Sequence, residues 1–139
     1  MQRRDITLNR VIDGDTVDVD IHLGFNVTLS NQRIRLSGID TPEIHSSDQD
    51  EKHYGNLAKT AASIWIQTHP GSQLLYNADN YHDKFGRILG DLAPPHNASD
   101  SESLCEYLVR KHHAVRYEGQ NKEEIKEQHL KNRALIDQS

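Results

Sequence analysis

A single cysteine, Cys105, stands in the 139 residues, so the chain closes no internal disulfide and has no thiolate set for a zinc cluster. Nine histidines are present, but no two fall at the spacing of a helical zinc site. Basic excess is missing as well. Sixteen Lys and Arg face twenty-one Asp and Glu, a net charge of −5, so any hold on a polyanion must be local rather than a property of the whole surface. No apolar run approaches the length of a membrane span, and no apolar stretch follows the N-terminal Met1-Gln2-Arg3-Arg4-Asp5. The expectation is a soluble, intracellular protein, for which the sequons at Asn26 and Asn97 carry no weight. There are no internal repeats, low-complexity tracts or linkers, which predicts one domain over 1–139 with a single core.

What is present is alternation. Val17, Val19, Ile21 and Leu23 alternate with Asp18, Asp20 and His22, the period of a strand with one buried and one wet face. Ile6, Leu8, Val11 and Ile12 precede it, and Asp13-Gly14-Asp15 between them reads as a hairpin turn. A third strand carries Ile34 and Leu36 inward, with Arg33, Arg35 and Ser37 on the opposite face. Gly38 and Pro42 end that strand in a corner holding two carboxylates, Asp40 and Glu43. Cations on a strand thus face anions on its loop. That mixture suits phosphodiester hydrolysis, where carboxylates hold a divalent metal or take a proton from water and guanidinium groups neutralise charge at phosphorus.

Beyond the corner, Ser46 to Lys52 reads as a polar, mobile loop. Leu57, Ala61, Ile64, Trp65 and Thr68 share a helical face that Pro70-Gly71 ends, with Trp65 placed in the core. Gln73 to Tyr76 and Ile88 to Leu92 supply two short strands. Ser99 and Glu102 have the spacing of a capping box opening a helix through Leu104, Tyr107 and Leu108. Ala114 to Tyr117 reads as extended, and Lys122 to Ile136 as a charged helix with a thin apolar stripe through Ile125, His129 and Ile136. Cys105 reads as a small buried hydrophobe and His129 as a packed, hydrogen-bonded residue rather than a catalyst. Five strands with a helix between the third and fourth predict an α+β, mainly β fold: a five-stranded OB-type Greek-key barrel with three helices.

Three segments in order carry a family resemblance: Ile12-Asp13-Gly14-Asp15-Thr16-Val17, Arg35-Leu36-Ser37-Gly38-Ile39-Asp40-Thr41-Pro42-Glu43, and Asp83-Lys84-Phe85-Gly86-Arg87. With Glu127-Gln128-His129-Leu130 they resemble the thermonuclease, or staphylococcal-nuclease-like, family from about residue 6 onward. The resemblance implies a calcium-dependent, sugar-nonspecific endonuclease on an OB barrel that cleaves at the 5′ oxygen of DNA and RNA and leaves 3′-phosphates. It implies Asp15, Asp40 and the Thr41 carbonyl as metal ligands, oxygen donors that suit a hard cation such as Ca2+. It implies Glu43 as general base and Arg35 and Arg87 as the phosphate-binding pair. Lys84, Phe85 and Tyr117 match substrate contacts, with stacking that favours single-stranded or frayed nucleic acid.

Two departures stand out. Phe85 replaces a tyrosine of the best-known members, keeping a stacking face without a hydroxyl. Asp48, Asp50 and Glu51 occupy a region that is more basic in those members, which implies weaker affinity for long polyanions. Taken singly, each site residue has a plainer structural reading, Asp13 and Asp15 as turn formers and Arg35 as a solvated strand face. Five matching side chains together favour a retained site. An EF-hand is excluded because its sixth position, Asp18, requires glycine. The expectation is a monomer with no membrane partner, from a bacterial cytoplasm or encoded by a phage. The alternative is a noncatalytic OB-type module that binds nucleic acid or protein.

Overall fold

A computed structural model describes residues 1–139. Seven strands and three helices follow in the order β1 (Gln2–Asp13), β2 (Thr16–Gly24), β3 (Val27–Leu36), β4 (Ile39–Asp40), α1 (Gln49–Thr68), β5 (Gln73–Tyr76), β6 (Ile88–Ala93), α2 (Leu104–Arg110), β7 (Val115–Arg116) and α3 (Lys122–Asp137). Five of the strands close a barrel in the order β1-β2-β3-β6-β5, with β5 returning to pair with β1. All barrel pairings are antiparallel except β3 with β6. The closed five-stranded mixed barrel with three helices is the OB-type architecture that the element order predicts.

The inward sides of the alternating strands make the core. Val17, Val19, Ile34, Leu36, Leu74 and Leu92 are fully buried, joined by Trp65 of α1 and Leu104 and Leu108 of α2. Their partners on the other face, Asp18, Arg33 and Arg35, are thereby set side by side on the barrel wall, with Thr16 opposite Arg35 and Asp18 opposite Arg33. The parallel pairing of Ile34 with Ile88 brings Arg87, which immediately precedes β6, beside Arg33. The fold therefore gathers three arginines on one face.

Helix α1 is longer than its periodicity predicts. It starts at Gln49, and Asp48 is its N-cap, accepting hydrogen bonds from the Asp50 and Glu51 N–H groups. The acidic residues expected in a mobile loop instead satisfy free N–H groups and complement the helix dipole. Its buried face also differs from the expected stripe, running through Gly55, Ala58, Ala61, Ala62 and Trp65 while Ile64 is half exposed. Small residues prevail because the helix lies on the two loops of the site. A Cβ on Gly55 would sit 2.8 Å from the Pro42 carbonyl oxygen, and one on Gly14 would sit 2.7 Å from Ala58 Cβ.

The capping box is likewise displaced. Ser103, not Ser99, caps α2, and its reciprocal partner is Glu106. Glu102 is occupied by a two-point ion pair with Arg110. Cys105 is buried, as its reading predicts, and burial pushes its thiol well above the usual range. Helix α3 has no buried residue and is held largely by polar contacts. Tyr54 Oη donates to the Asp137 carboxylate at 2.7 Å and Asn132 Nδ2 to the Ala114 carbonyl at 3.3 Å. No helix is long and apolar enough to cross a membrane.

Candidate functional site

The hairpin turn between β1 and β2, the end of β3 and the corner after β4 meet at one rim of the barrel. The Leu36 N–H donates to the Asp15 carbonyl at 2.8 Å, which ties the turn to the arginine strand. The buried Asp15 side chain then accepts from the Thr41 N–H at 3.3 Å and lies 3.4 Å from Arg35 Nη2. The same Nη2 is 4.0 Å from Asp40 Oδ1. Arg35 is fixed from behind, Nη1 donating to the Leu36 carbonyl at 2.7 Å and Nη2 to the Ile39 carbonyl at 3.0 Å. Asp15, Arg35, Asp40 and Thr41 are thus one bonded cluster.

Electrostatically the cluster has more acid than its one guanidinium neutralises. Burial and the neighbouring Asp15 carboxylate push Asp13 up to about 7. Burial pushes Asp15 the same way, but the bond with Asp13, the Arg35 charge and the Thr41 N–H outweigh it and hold Asp15 below the usual range. The Asp15 carboxylate thus favours the protonated form of Asp13. Glu43, on the exposed corner, is raised by partial desolvation, then by the charges of Asp15, Asp40 and Glu51, against the opposing pull of Arg35. An added cation would offset the upward shifts of Asp13 and Glu43 and hold Asp15 lower still. No three His, Cys, Asp or Glu side chains form a ready metal cage. A cation held by Asp15 and Asp40 would therefore complete its shell with main-chain carbonyl and water oxygen, a mixture that hard cations accept.

Beside this cluster, Arg87 is anchored by Asp83, its Nε donating to Oδ2 at 2.6 Å. Asp83 Oδ1 accepts from the Phe85 and Arg87 N–H groups, so one carboxylate shapes the loop and aims the guanidinium. Phe85 is 72 % exposed, with the Lys84 ammonium 5.2 Å and the Arg87 guanidinium 5.6 Å from its ring. Tyr117 is also exposed, hung beyond the far end of β3 by its N–H on the Gly38 carbonyl at 2.9 Å. The structure thus groups Asp15, Arg35, Asp40 and Thr41, with Glu43 on the adjoining corner. Lys84, Phe85 and Arg87 lie on the turn that leads into β6, and Tyr117 beside Gly38, next to β4.

Three partnerships are not readable from the sequence motifs, although Asp83 and His129 themselves stand in them. Asp83 follows a polar turn and could have been flagged only by its i, i+4 spacing to Arg87. Asp18 forms a two-point ion pair with Arg33, readable only once the cross-strand register is known. His129 is hydrogen-bonded, as its reading predicts, but the partner is Asp40 Oδ2 at 2.7 Å, 89 residues away.

The chain is thus an OB-type barrel with guanidinium groups and carboxylates converging on one rim. Residues 33–135, well over half of the chain, match the model of the staphylococcal nuclease homologues. The chain belongs to that family. No curated protein matches the chain.

Proposed function

We propose that the chain is a calcium-dependent nuclease that hydrolyses phosphodiester bonds of DNA and RNA, cleaving at the 5′ oxygen and leaving 3′-phosphates. The observation that carries this reading is the bonded cluster of Asp15, Arg35, Asp40 and Thr41 with Glu43 beside it. Family membership supplies the nuclease assignment; the cluster supplies the chemistry.

In this reading Arg35 and Arg87 grip the non-bridging oxygens of the scissile phosphate. Each is braced by an acid or a carbonyl, so little side-chain freedom is lost when phosphate arrives. Asp15, Asp40 and the Thr41 carbonyl hold calcium, which when bound supplies charge stabilisation at the phosphate oxygens. Glu43 takes the proton of the attacking water. Its pKa, raised by partial desolvation and the neighbouring carboxylates, makes it a stronger base than an ordinary glutamate. Phe85 and Tyr117 offer faces for unstacked bases, which favours single-stranded or frayed substrate, and Lys84 adds a phosphate contact. The protein acts as a monomer.

The test is cleavage of single-stranded DNA, duplex DNA and RNA by purified protein with calcium, magnesium or chelator, with the product ends identified. Calcium-dependent cleavage to 3′-phosphates is expected. Glu43→Gln and Arg87→Ala are each expected to lose at least about two orders of magnitude in rate. Near wild-type turnover in either variant would overturn the roles. No cleavage with any metal, in a folded sample, would overturn the enzyme reading in favour of a noncatalytic binding module.

A further inference from the structure

A cleft of about 680 Å³ opens beside Arg87, lined by Asp18, Asn31, Arg33, Phe85, Gly86 and Arg87. None of the assigned metal or base residues lines it, and it lies on the opposite side of Arg35 from Tyr117. Along β3 the order is Arg33, Arg35, then Gly38, from which Tyr117 hangs. Arg33, like Arg35 and Arg87, is held by fixed acceptors. Its Nε and Nη2 donate to the two oxygens of the buried Asp18 at 2.9 and 3.1 Å. That fork spends one edge of the guanidinium and leaves Nη1 without a hydrogen bond, on a side chain that lines the cleft and is 47 % exposed. Arg87 is braced by Asp83 through Nε alone, and Arg35 by the Leu36 and Ile39 carbonyls with Asp15 3.4 Å away. The three braced arginines on one face read as a row.

We propose that Arg33 is a second backbone-phosphate subsite, which receives the phosphodiester next to the one held by Arg35 and Arg87, on the side away from Tyr117. The ligand is a single-stranded oligonucleotide, and the inference rests on the nuclease reading. Arg33 and Arg35, two residues apart on one strand face, have Cα atoms roughly 6.6 Å apart, on the order of the step between phosphates of an extended strand. Braced by Asp18, Arg33 presents a rigid donor edge to a phosphate oxygen. Asn31, whose side-chain amide makes no hydrogen bond, stands at the outer wall to meet a base or sugar. Arg10, 3.9 Å from Asp18, keeps that carboxylate partly neutralised while Arg33 faces the ligand. A strand laid along the row crosses the scissile position and continues into the cleft, so the site favours oligomers long enough to reach it.

The experiment measures binding of a dinucleotide and a hexanucleotide of single-stranded DNA to wild type, Arg33→Gln and Arg33→Lys by fluorescence anisotropy with calcium, alongside their cleavage. Wild type is expected to bind the hexanucleotide more tightly than the dinucleotide. In Arg33→Gln that length advantage is expected to fall about tenfold, with the salt slope on the hexanucleotide shallower by about 0.7 for one lost phosphate contact. Arg33→Lys keeps a charge opposite Asp18 without the fork, and is expected to fall between. An unchanged ratio of hexanucleotide to dinucleotide affinity in both variants would overturn the subsite. Should Arg33→Gln fail to fold, the Arg33→Lys ratio decides alone. Failure of wild type to bind or cleave either oligonucleotide would instead overturn the nuclease reading on which the subsite rests.

Discussion

Replacing Arg35 by Gln tests the electrostatic account of the site without reference to turnover. Arg35 gives two charged hydrogen bonds to main-chain carbonyls and is the cation nearest to the buried Asp15. Charged hydrogen bonds are worth about 1.5–3 kcal/mol each, and stripping a buried carboxylate of its partner costs about 3–5 kcal/mol. The terms overlap, since Nη2 takes part in both, so they do not add. The expected loss at pH 8 with chelator is about 3–5 kcal/mol, or a melting temperature lower by roughly 10 °C for a chain of this size. The pH dependence has a definite sign. In wild type Asp15 is held below its unfolded value, so its contribution is present above about pH 4 and lost as pH falls. In Arg35→Gln that hold is weakened, only the bonds with Asp13 and Thr41 remaining, and the carboxylates stay protonated in the fold to higher pH. The deficit therefore widens from about pH 4 toward pH 8. Millimolar calcium, filling the missing positive charge, is expected to stabilise the variant more than wild type. Urea denaturation at several pH values, with calcium and with chelator, reads all three effects. A deficit below about 1 kcal/mol, or equal stabilisation of both proteins by calcium, would refute the reasoning.

Other perturbations separate the parts of the site. His129→Ala removes the donor that fixes Asp40, and is expected to weaken terbium or calcium binding by about 10–100-fold, with partial rescue by His129→Gln; unchanged metal affinity would show the contact to be incidental. Gly55→Ala drives a methyl against the Pro42–Ile44 main chain, and is expected to cost about 1–3 kcal/mol in stability and to lower turnover by displacing Glu43; wild-type melting and rate would contradict the close packing. His113 has its pKa lowered by burial, and its Nδ1 is buried without a partner. Its folded state binds fewer protons than the unfolded chain, so stability is retained above about pH 6.5 and lost as pH falls below it; His113→Leu is expected to flatten that slope in denaturant titrations between pH 5 and 7.

The barrel was legible because its strands alternate cleanly, and because Gly, Pro and Asp-Gly-Asp punctuate them. Legibility stopped where the deciding contact was tertiary. Ile64 fits the helical stripe of α1 as well as Ala58 does, and only the approach of the helix to Gly14 and Pro42 makes the small residue the buried one. Ser99 and Glu102 have the right spacing for a capping box, but Arg110 draws Glu102 away and leaves the cap to Ser103. At the site, the motif residues could be named individually, whereas their braces could not. Asp18 meets Arg33 only through strand register, and His129 meets Asp40 only because α3 folds back over the corner.

These braces also explain how an acidic chain could bind a polyanion. The acids expected to repel a phosphate backbone are already engaged: Asp48 caps α1, Asp18 and Asp83 hold arginines, and Asp15 lies beside Arg35. Directed outward, beside the exposed Glu43, is a short row of cations, Arg33, Arg35, Arg87 and Lys84. If those four make the phosphate contacts, the logarithm of the binding constant for single-stranded DNA falls against the logarithm of salt with a slope of about −3, from 0.7 per contact. A strongly basic surface would add diffuse contacts and steepen it. Anisotropy titrations at fixed calcium across a range of potassium chloride concentrations measure the slope. A value steeper than about −5 would mean that the chain holds nucleic acid over a wider surface than this row, and that its acidic residues are not the neutralised braces described above.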